Sequence, residues 1–140
     1  MIYTKINSLN YSKETRKPNK IWFLIFHYTG MQSRRESIQR LTDVRSKVSC
    51  HYLIDRKGEV IQLVDDLKVA WHAGKSKWKN FKNLNKNSIG IEIVNKGHQF
   101  GYENFTKKQI KKLIKLSLKL KKKYKIKSYF VLGHSDIAPL

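Results

Sequence analysis

Cysteine, acid and long apolar stretches are all scarce in this sequence. A single cysteine, Cys50, stands among 140 residues, so no internal disulfide can form and nothing requires an oxidising compartment. The longest apolar run, Ile21 to Phe26, is strand-sized and far short of the roughly 20 residues a membrane-crossing helix needs. Met1 to Asn10 lacks the apolar core of a signal peptide. These absences exclude a disulfide scaffold and a membrane protein, and they predict a cytoplasmic one that leaves the cell only by a route such as lysis. Acid is outnumbered: ten Asp plus Glu face thirty Lys plus Arg, a formal charge of +20. Such a chain repels its own copies, which favours a monomer, and attracts polyanions.

What is present suffices for a core. The apolar fraction is 40% and the aromatic fraction 11%, grouped in blocks, so a single folded domain over residues 1–140 is expected rather than disorder. Residues 1–20 read as an extension packing on that domain. Between Lys107 and Lys127 eleven Lys and no acid are threaded through Ile110, Leu113, Ile114, Leu116, Leu118 and Leu120, the spacing of an amphipathic helix. Thr106 and Gln109 form a capping box, Phe105 can staple onto Ile110, and Lys121 to Lys123 suit the last turn. A second helix is predicted from Ser33, with Ile38, Leu41 and Val44 facing inward.

Five segments read as strands: Ile21–Phe26, His51–Ile54, Val60–Val64, Ser88–Val94 and Ser128–Leu132. The second and third flank the turn Asp55-Arg56-Lys57-Gly58 as a hairpin. Strand, helix, hairpin, strand, helix, strand implies an α/β fold, a mixed central sheet of about five strands flanked by helices. Residues 70–87 read as a loop.

Three side chains stand out chemically. Glu92 alternates with the isoleucines of Ile89-Gly90-Ile91-Glu92-Ile93 and so takes the other sheet face, beside Gly90 and Val94. A carboxylate in apolar surroundings has either a task or a salt-bridge partner. His27 and His134 each follow a predicted strand, at the carboxyl edge where open α/β sheets place ligands. Singly, each is an ordinary structural histidine. Together, with a carboxylate on an intervening strand, they suit zinc, whose catalytic sites take three protein ligands. Trp71, Trp78 and His72 have plain readings as core and loop residues. His51 reads as a satisfied core histidine and His98 as a loop residue. Cys50 and His51 do not form a nucleophile pair, because adjacent strand residues point to opposite faces.

Phe26-His27-Tyr28-Thr29, Val48 to Ile54, Ala70-Trp71-His72-Ala73-Gly74 with Ser76 and Trp78, Ser88 to Asn95, and Gly133-His134-Ser135-Asp136-Ile137-Ala138-Pro139 follow one another in order. In these five fragments, and in Asn10-Tyr11, the sequence resembles the zinc-dependent N-acetylmuramoyl-L-alanine amidases of the type 2 amidase fold. That family is related to a phage lysozyme and to peptidoglycan-recognition proteins, and the resemblance points to its bacterial branch that trims muropeptides in cell-wall breakdown and recycling. The resemblance implies that His27 and His134 bind zinc, that Glu92 is the general base, and that Trp71, His72 and Asn95 line the substrate groove. The bond cut would be the lactyl amide joining N-acetylmuramic acid to L-alanine, in peptidoglycan or in soluble (anhydro)muropeptides.

The family pattern continues past Pro139 to an Asp about ten residues beyond the second histidine, the third zinc ligand, preceded by a Lys. The sequence ends at Leu140, before both. With two protein ligands, weakened zinc binding is expected, and the alternative reading is a catalytically impaired peptidoglycan-binding module. Asp136, the nearest carboxylate, resembles the family's Asp in His-Ser-Asp, which is not a ligand. Specific nucleic-acid recognition is not expected: the basic run alternates with helix-core leucines and carries no RNP motif or zinc finger. Salt-sensitive, non-specific adhesion to nucleic acid is expected from charge alone.

Overall fold

A computed structural model describes every residue of the protein except Ile2, Tyr102, Pro139 and Leu140. In chain order its elements are β1 (Thr4–Lys5), β2 (Tyr11–Thr15), β3 (Phe23–Tyr28), α1 (Arg34–Thr42), β4 (Tyr52–Ile54), β5 (Val60–Gln62), β6 (Lys68–Ala70), β7 (Lys77–Trp78), β8 (Phe81–Lys82), β9 (Ser88–Ile93), α2 (Lys107–Tyr124), β10 (Val131–Gly133) and α3 (His134–Ile137). The central sheet has six strands in the order β1-β5-β4-β9-β3-β10. It is mixed: β4 and β5 pair antiparallel, and the other four pairings are parallel. All five predicted strands are present, and β1 adds a sixth at the edge.

Alternation along β9 sorts the two faces. Ile89, Ile91 and Ile93 join Leu24, Tyr52 and Ile54 beneath Leu116, Leu120 and Tyr124 of α2; fully burying each such aliphatic side chain is worth about 1.5–3 kcal/mol. On the opposite face Phe23 and Ile25 pack with Ala73, Leu84 and Ile137, while Leu53 packs with Leu41, Leu63 and Ala70. Ser88, Gly90 and Glu92 of β9 belong to that second face.

The start of α2 is specified locally as predicted. Thr106 Oγ1 accepts the Gln109 N–H at 3.0 Å, and Gln109 Oε1 accepts the Thr106 N–H at 3.0 Å. Gln109 is fully buried, and its Nε2 also donates to Val94 O at 2.8 Å. The inward face is narrower than the periodicity suggests. Ile110, Ile114 and Leu118 are 40, 54 and 61% exposed, because a helix resting on a sheet buries one stripe, here Leu116, Leu120 and Tyr124, and not its flank. Val44, predicted to face inward from α1, lies beyond the last helical residue Thr42 and is exposed.

Strand limits shift where backbone turns intervene. A 3-10 turn at Pro18–Lys20 delays β3 to Phe23, and another at Ser128–Phe130 shortens the last strand to Val131–Gly133. The stretch expected as loop, 70–87, contains the small hairpin β7–β8. The first twenty residues are stitched on by β1 against β5 and β2 against β6. Asn10 donates to Asp43 O at 2.9 Å and Val48 O at 2.8 Å. The Arg16 guanidinium donates to the carbonyls of Asp66, Asn85 and Lys86. Among the described residues no helix is long and apolar enough to cross a membrane.

Candidate active site

Strand register brings the three singled-out residues together. Parallel pairing of β3 with β9 sets His27 beside Glu92. Pairing of β10 with β3 sets Gly133 beside Phe26, so the next residue, His134, opens α3 next to His27. Their imidazoles meet with Nδ1 to Nδ1 at 3.0 Å. A third ring arrives from the loop after β6. His72 Nδ1 lies 2.9 Å from His27 Nε2, and His72 Nε2 lies 3.0 Å from Ser88 Oγ.

The network assigns the tautomers. Ser88 Oγ donates its proton to Leu84 O at 2.5 Å, so toward His72 it accepts, and the His72 proton sits on Nε2. His72 Nδ1 is then the acceptor for His27 Nε2–H, which leaves the Nδ1 lone pair of neutral His27 aimed at His134. A histidine whose other nitrogen donates to a fixed neighbour has the orientation metal ligands show. Gly90 makes the stacking possible. A Cβ there would lie 2.3 Å from His72 Cγ, so only glycine lets the ring rest on β9.

These groups line a cavity of about 330 Å³ that includes His27, His72, Glu92, His134, Trp71 and Arg40. Burial, with the His134 charge adding to it, holds His27 down to about 3. His72 is held well below its ordinary value by burial and by His27. Both are therefore neutral near pH 7, the state in which imidazole binds metal. Burial pushes the Glu92 carboxyl up to about 8, against the opposing pull of the Arg40 guanidinium. Arg40 was not singled out from the sequence. Its signal is helical spacing: Ser37, Arg40 and Leu41 stand at i, i+3 and i+4 on α1 and all line the cavity.

Opposed shifts give the metal-free protein a defined pH profile. His27, His51 and His72 stay neutral when folded but take a proton near 6.5 when unfolded, so stability falls as pH drops from about 6.5. Glu92 keeps its proton up to about 8 when folded but loses it near 4.5 when unfolded, so it weakens the fold as pH rises through that window. Three histidines outweigh one carboxyl below 6.5, and Glu92 acts alone above it. Thermal melts from pH 4 to 9 are expected to peak near 6.5, and Glu92→Gln should remove the alkaline decline. An unchanged decline in that variant would contradict the assignment.

The remaining predicted residues divide. Trp71 is half-buried in the cavity wall, with its indole N–H donating to Ser12 Oγ at 3.1 Å. Asn95 lies off the cavity: its amide donates to Glu103 O at 3.2 Å and its oxygen accepts the Gly97 N–H at 2.9 Å, so it shapes the loop after β9. His51 is a satisfied core residue, with Nδ1 accepting from Gly90 N–H and Nε2 donating to Lys68 O. Cys50 is sealed and its thiol contacts Tyr52 O; burial pushes its pKa up, the opposite of nucleophile activation. Asp136 accepts the Gly133 N–H at 2.8 Å and so is tied to the start of its own helix. Pro139, the last residue of the fifth fragment, lies outside the described residues. Among the described residues no group of three His, Cys, Asp or Glu converges to hold a metal.

Comparison with known proteins gives this constellation a context. AmiD of Escherichia coli, an N-acetylmuramoyl-L-alanine amidase, is 38% identical in an alignment 132 residues long that covers 86% of this chain and 47% of AmiD. The 1,6-anhydro-N-acetylmuramyl-L-alanine amidase AmpD of Haemophilus influenzae is 37% identical over 94 residues, 66% of this chain and 49% of that protein. The chain thus spans about half the length of these curated relatives. The solved complex of E. coli AmiD with the substrate anhydro-N-acetylmuramic acid-L-Ala-D-gamma-Glu-L-Lys superposes with a TM-score of 0.80 at 36% identity, covering 91% of this chain and 52% of that one. The family model described as N-acetylmuramoyl-L-alanine amidase matches residues 17–139. A match over nearly the whole chain, on the fold that carries the His27–Glu92–His134 cavity, means that the chain belongs to the N-acetylmuramoyl-L-alanine amidase family.

Proposed function

We propose that this protein is a zinc-dependent N-acetylmuramoyl-L-alanine amidase acting on peptidoglycan fragments. The observation that carries the reading is the meeting of His27 and His134, Nδ1 to Nδ1 at 3.0 Å, in the cavity that also holds Glu92. These two imidazole nitrogens, one of them the unprotonated Nδ1 of His27, are the groups that would hold the ion. The donor set fits zinc as two of its protein ligands. When bound, zinc supplies Lewis acidity to the scissile carbonyl and to water.

The chain's own residues do the rest. Glu92, which lines the cavity, in its ionised form takes a proton from the attacking water and delivers it to the departing nitrogen of L-alanine. Arg40 pulls the Glu92 carboxyl toward its ionised, proton-accepting form. His72 orients His27 through the 2.9 Å hydrogen bond and is itself held by Ser88. Trp71 offers a flat apolar wall to the sugar or the stem peptide. Asn95, off the cavity, ties Gly97 and Glu103 together after β9.

A second reading is favoured by the two-histidine donor set: a module that grips muropeptide without cutting it. One experiment separates them. On the enzyme reading, zinc content by atomic absorption at saturating zinc, paired with a digest of anhydro-muropeptide, gives near-stoichiometric metal and free L-Ala-terminated peptide, and His27→Ala abolishes both. Absence of zinc and of released peptide at any zinc concentration would sink the enzyme reading, and retained muropeptide binding would then establish the module.

A further inference from the structure

At the end of β3 remote from His27, a cleft of about 540 Å³ opens between residues 18–22 and the end of α2. Trp22 precedes β3 by one residue and His27 lies five residues beyond it, so about 16 Å of strand separates the cleft from the catalytic cavity. Trp22 is 41% exposed. Its indole N–H donates to Asn19 O at 2.8 Å, and its ring packs edge-on against Phe81, so it is a large apolar surface in fixed orientation. Tyr124 and Phe130, which also line the cleft, are packed into the core. Lys123, Lys125 and Lys127 line it with Trp22, and among the described residues no acid does; Lys123 also pairs with Asp66 at 3.8 Å, which leaves Lys125 and Lys127 as the cations open to a ligand. Trp22 is also the ridge of an adjoining hollow of about 340 Å³ that adds Arg16, Lys20 and Lys86, with Glu14 as its acid.

One backbone detail bears on the choice of test variants. Lys125 closes α2 in the left-handed conformation, with φ of +55°, a position usually held by glycine because a Cβ is strained there. Lys47 and Lys79 adopt the same conformation elsewhere, so what Lys125 adds here is its position on the cleft wall.

A fixed indole among lysines suits a ligand that combines the C–H face of a sugar ring with negative charge. Single-stranded nucleic acid is served less well, because its successive bases call for a series of stacking rings. The amidase reaction itself makes the complementary polymer: hydrolysis of the lactyl amide converts each muramoyl amide into a free carboxylate and releases the peptide amine, so a processed strand is a run of sugar rings with a carboxylate on each muramic acid. Resting on the amidase reading for the choice of polymer, we propose that the Trp22–Lys125 cleft is a non-catalytic site for the peptide-stripped glycan strand, keeping the enzyme on the polymer it has already processed.

The test measures affinity for peptide-stripped glycan strands, with an oligothymidylate as control polyanion, for the full chain, Trp22→Ala and a Lys125→Gly/Lys127→Ser double variant. Each variant is expected to weaken glycan binding about tenfold or more, by loss of stacking or of rim charge, with oligothymidylate affinity changed less than about twofold and hydrolysis of soluble anhydro-muropeptide unchanged. The double variant guards against a folding artefact, since glycine relieves the left-handed position and its melting temperature should not fall. Unchanged glycan affinity in both variants overturns the proposal, as does a parallel loss of oligothymidylate binding. If the parent chain hydrolyses nothing while the glycan losses appear, the amidase reading fails and the cleft stands.

Discussion

Glu92→Gln is expected to lower hydrolysis of a soluble muropeptide by about 10²–10⁴-fold, the range a positioned general base contributes, while zinc uptake stays at the parent level. Glutamine keeps the shape and the place on β9 but cannot accept the proton of water. The fold has no reason to suffer, since the substitution removes a partly enclosed ionisable group whose pKa burial has already driven up to about 8. Glu92→Asp, one methylene shorter, should fall between the two. Peptide release followed by chromatography, with metal content measured on the same samples, checks this. Turnover within about tenfold of the parent would remove Glu92 from the base role, and a parallel loss of zinc would make it a ligand instead.

Gly90→Ala is expected to be as damaging through geometry alone. The added Cβ would lie 2.3, 2.5 and 2.6 Å from three atoms of the His72 ring, closer than van der Waals contact allows. The ring has little room to retreat, being buried and held by Ser88 on one side and His27 on the other. Overpacking of this kind costs about 1–3 kcal/mol. Displacing His72 also releases His27 from its orienting hydrogen bond, and loss of such a partner lowers metal affinity about 10–100-fold. Chemical denaturation and a zinc competition titration read the two effects separately. Parent-like stability together with parent-like zinc affinity would show that His72 does not position His27.

Much of this molecule is written locally. The alternation of Ser88–Ile93 specifies a strand with one apolar face, Thr106 and Gln109 specify the start of α2 by hydrogen bonds closed within four residues, and Asp55 to Gly58 specify a hairpin turn. Such features depend on neighbours in the chain, so reading the chain suffices. The same holds for the isolation of Glu92 among isoleucines and for the placing of His27 and His134 after strands.

Other features depend on what packs against what. The leucine and isoleucine spacing of α2 marks a broad apolar face, yet how much of it is buried depends on how much sheet lies beneath, and Ile114 and Leu118 are left outside. His72 reads as a loop residue until Gly90, about 60 Å of chain away by the roughly 3.3 Å rise per extended residue but adjacent in space, leaves room for its ring. The helical spacing of Arg40 with Ser37 and Leu41 does not set it apart among thirty cations until α1 is laid along the cavity. Asn95 matches a groove position by motif, and the loop that follows β9 claims its amide.

The sequence by itself determined the α/β class, the order of the principal elements, the scarcity of acid and the identity of the two histidines and the carboxylate, because residue periodicity and short-range capping encode these directly. Only the tertiary structure decided that those three residues share one cavity, that a proton-ordered chain from Leu84 through Ser88 and His72 turns the His27 lone pair toward His134, and that the +20 charge includes a lysine-lined cleft around Trp22. Register between strands distant in sequence sets each of these, and register is fixed by the packing of whole faces rather than by any one segment.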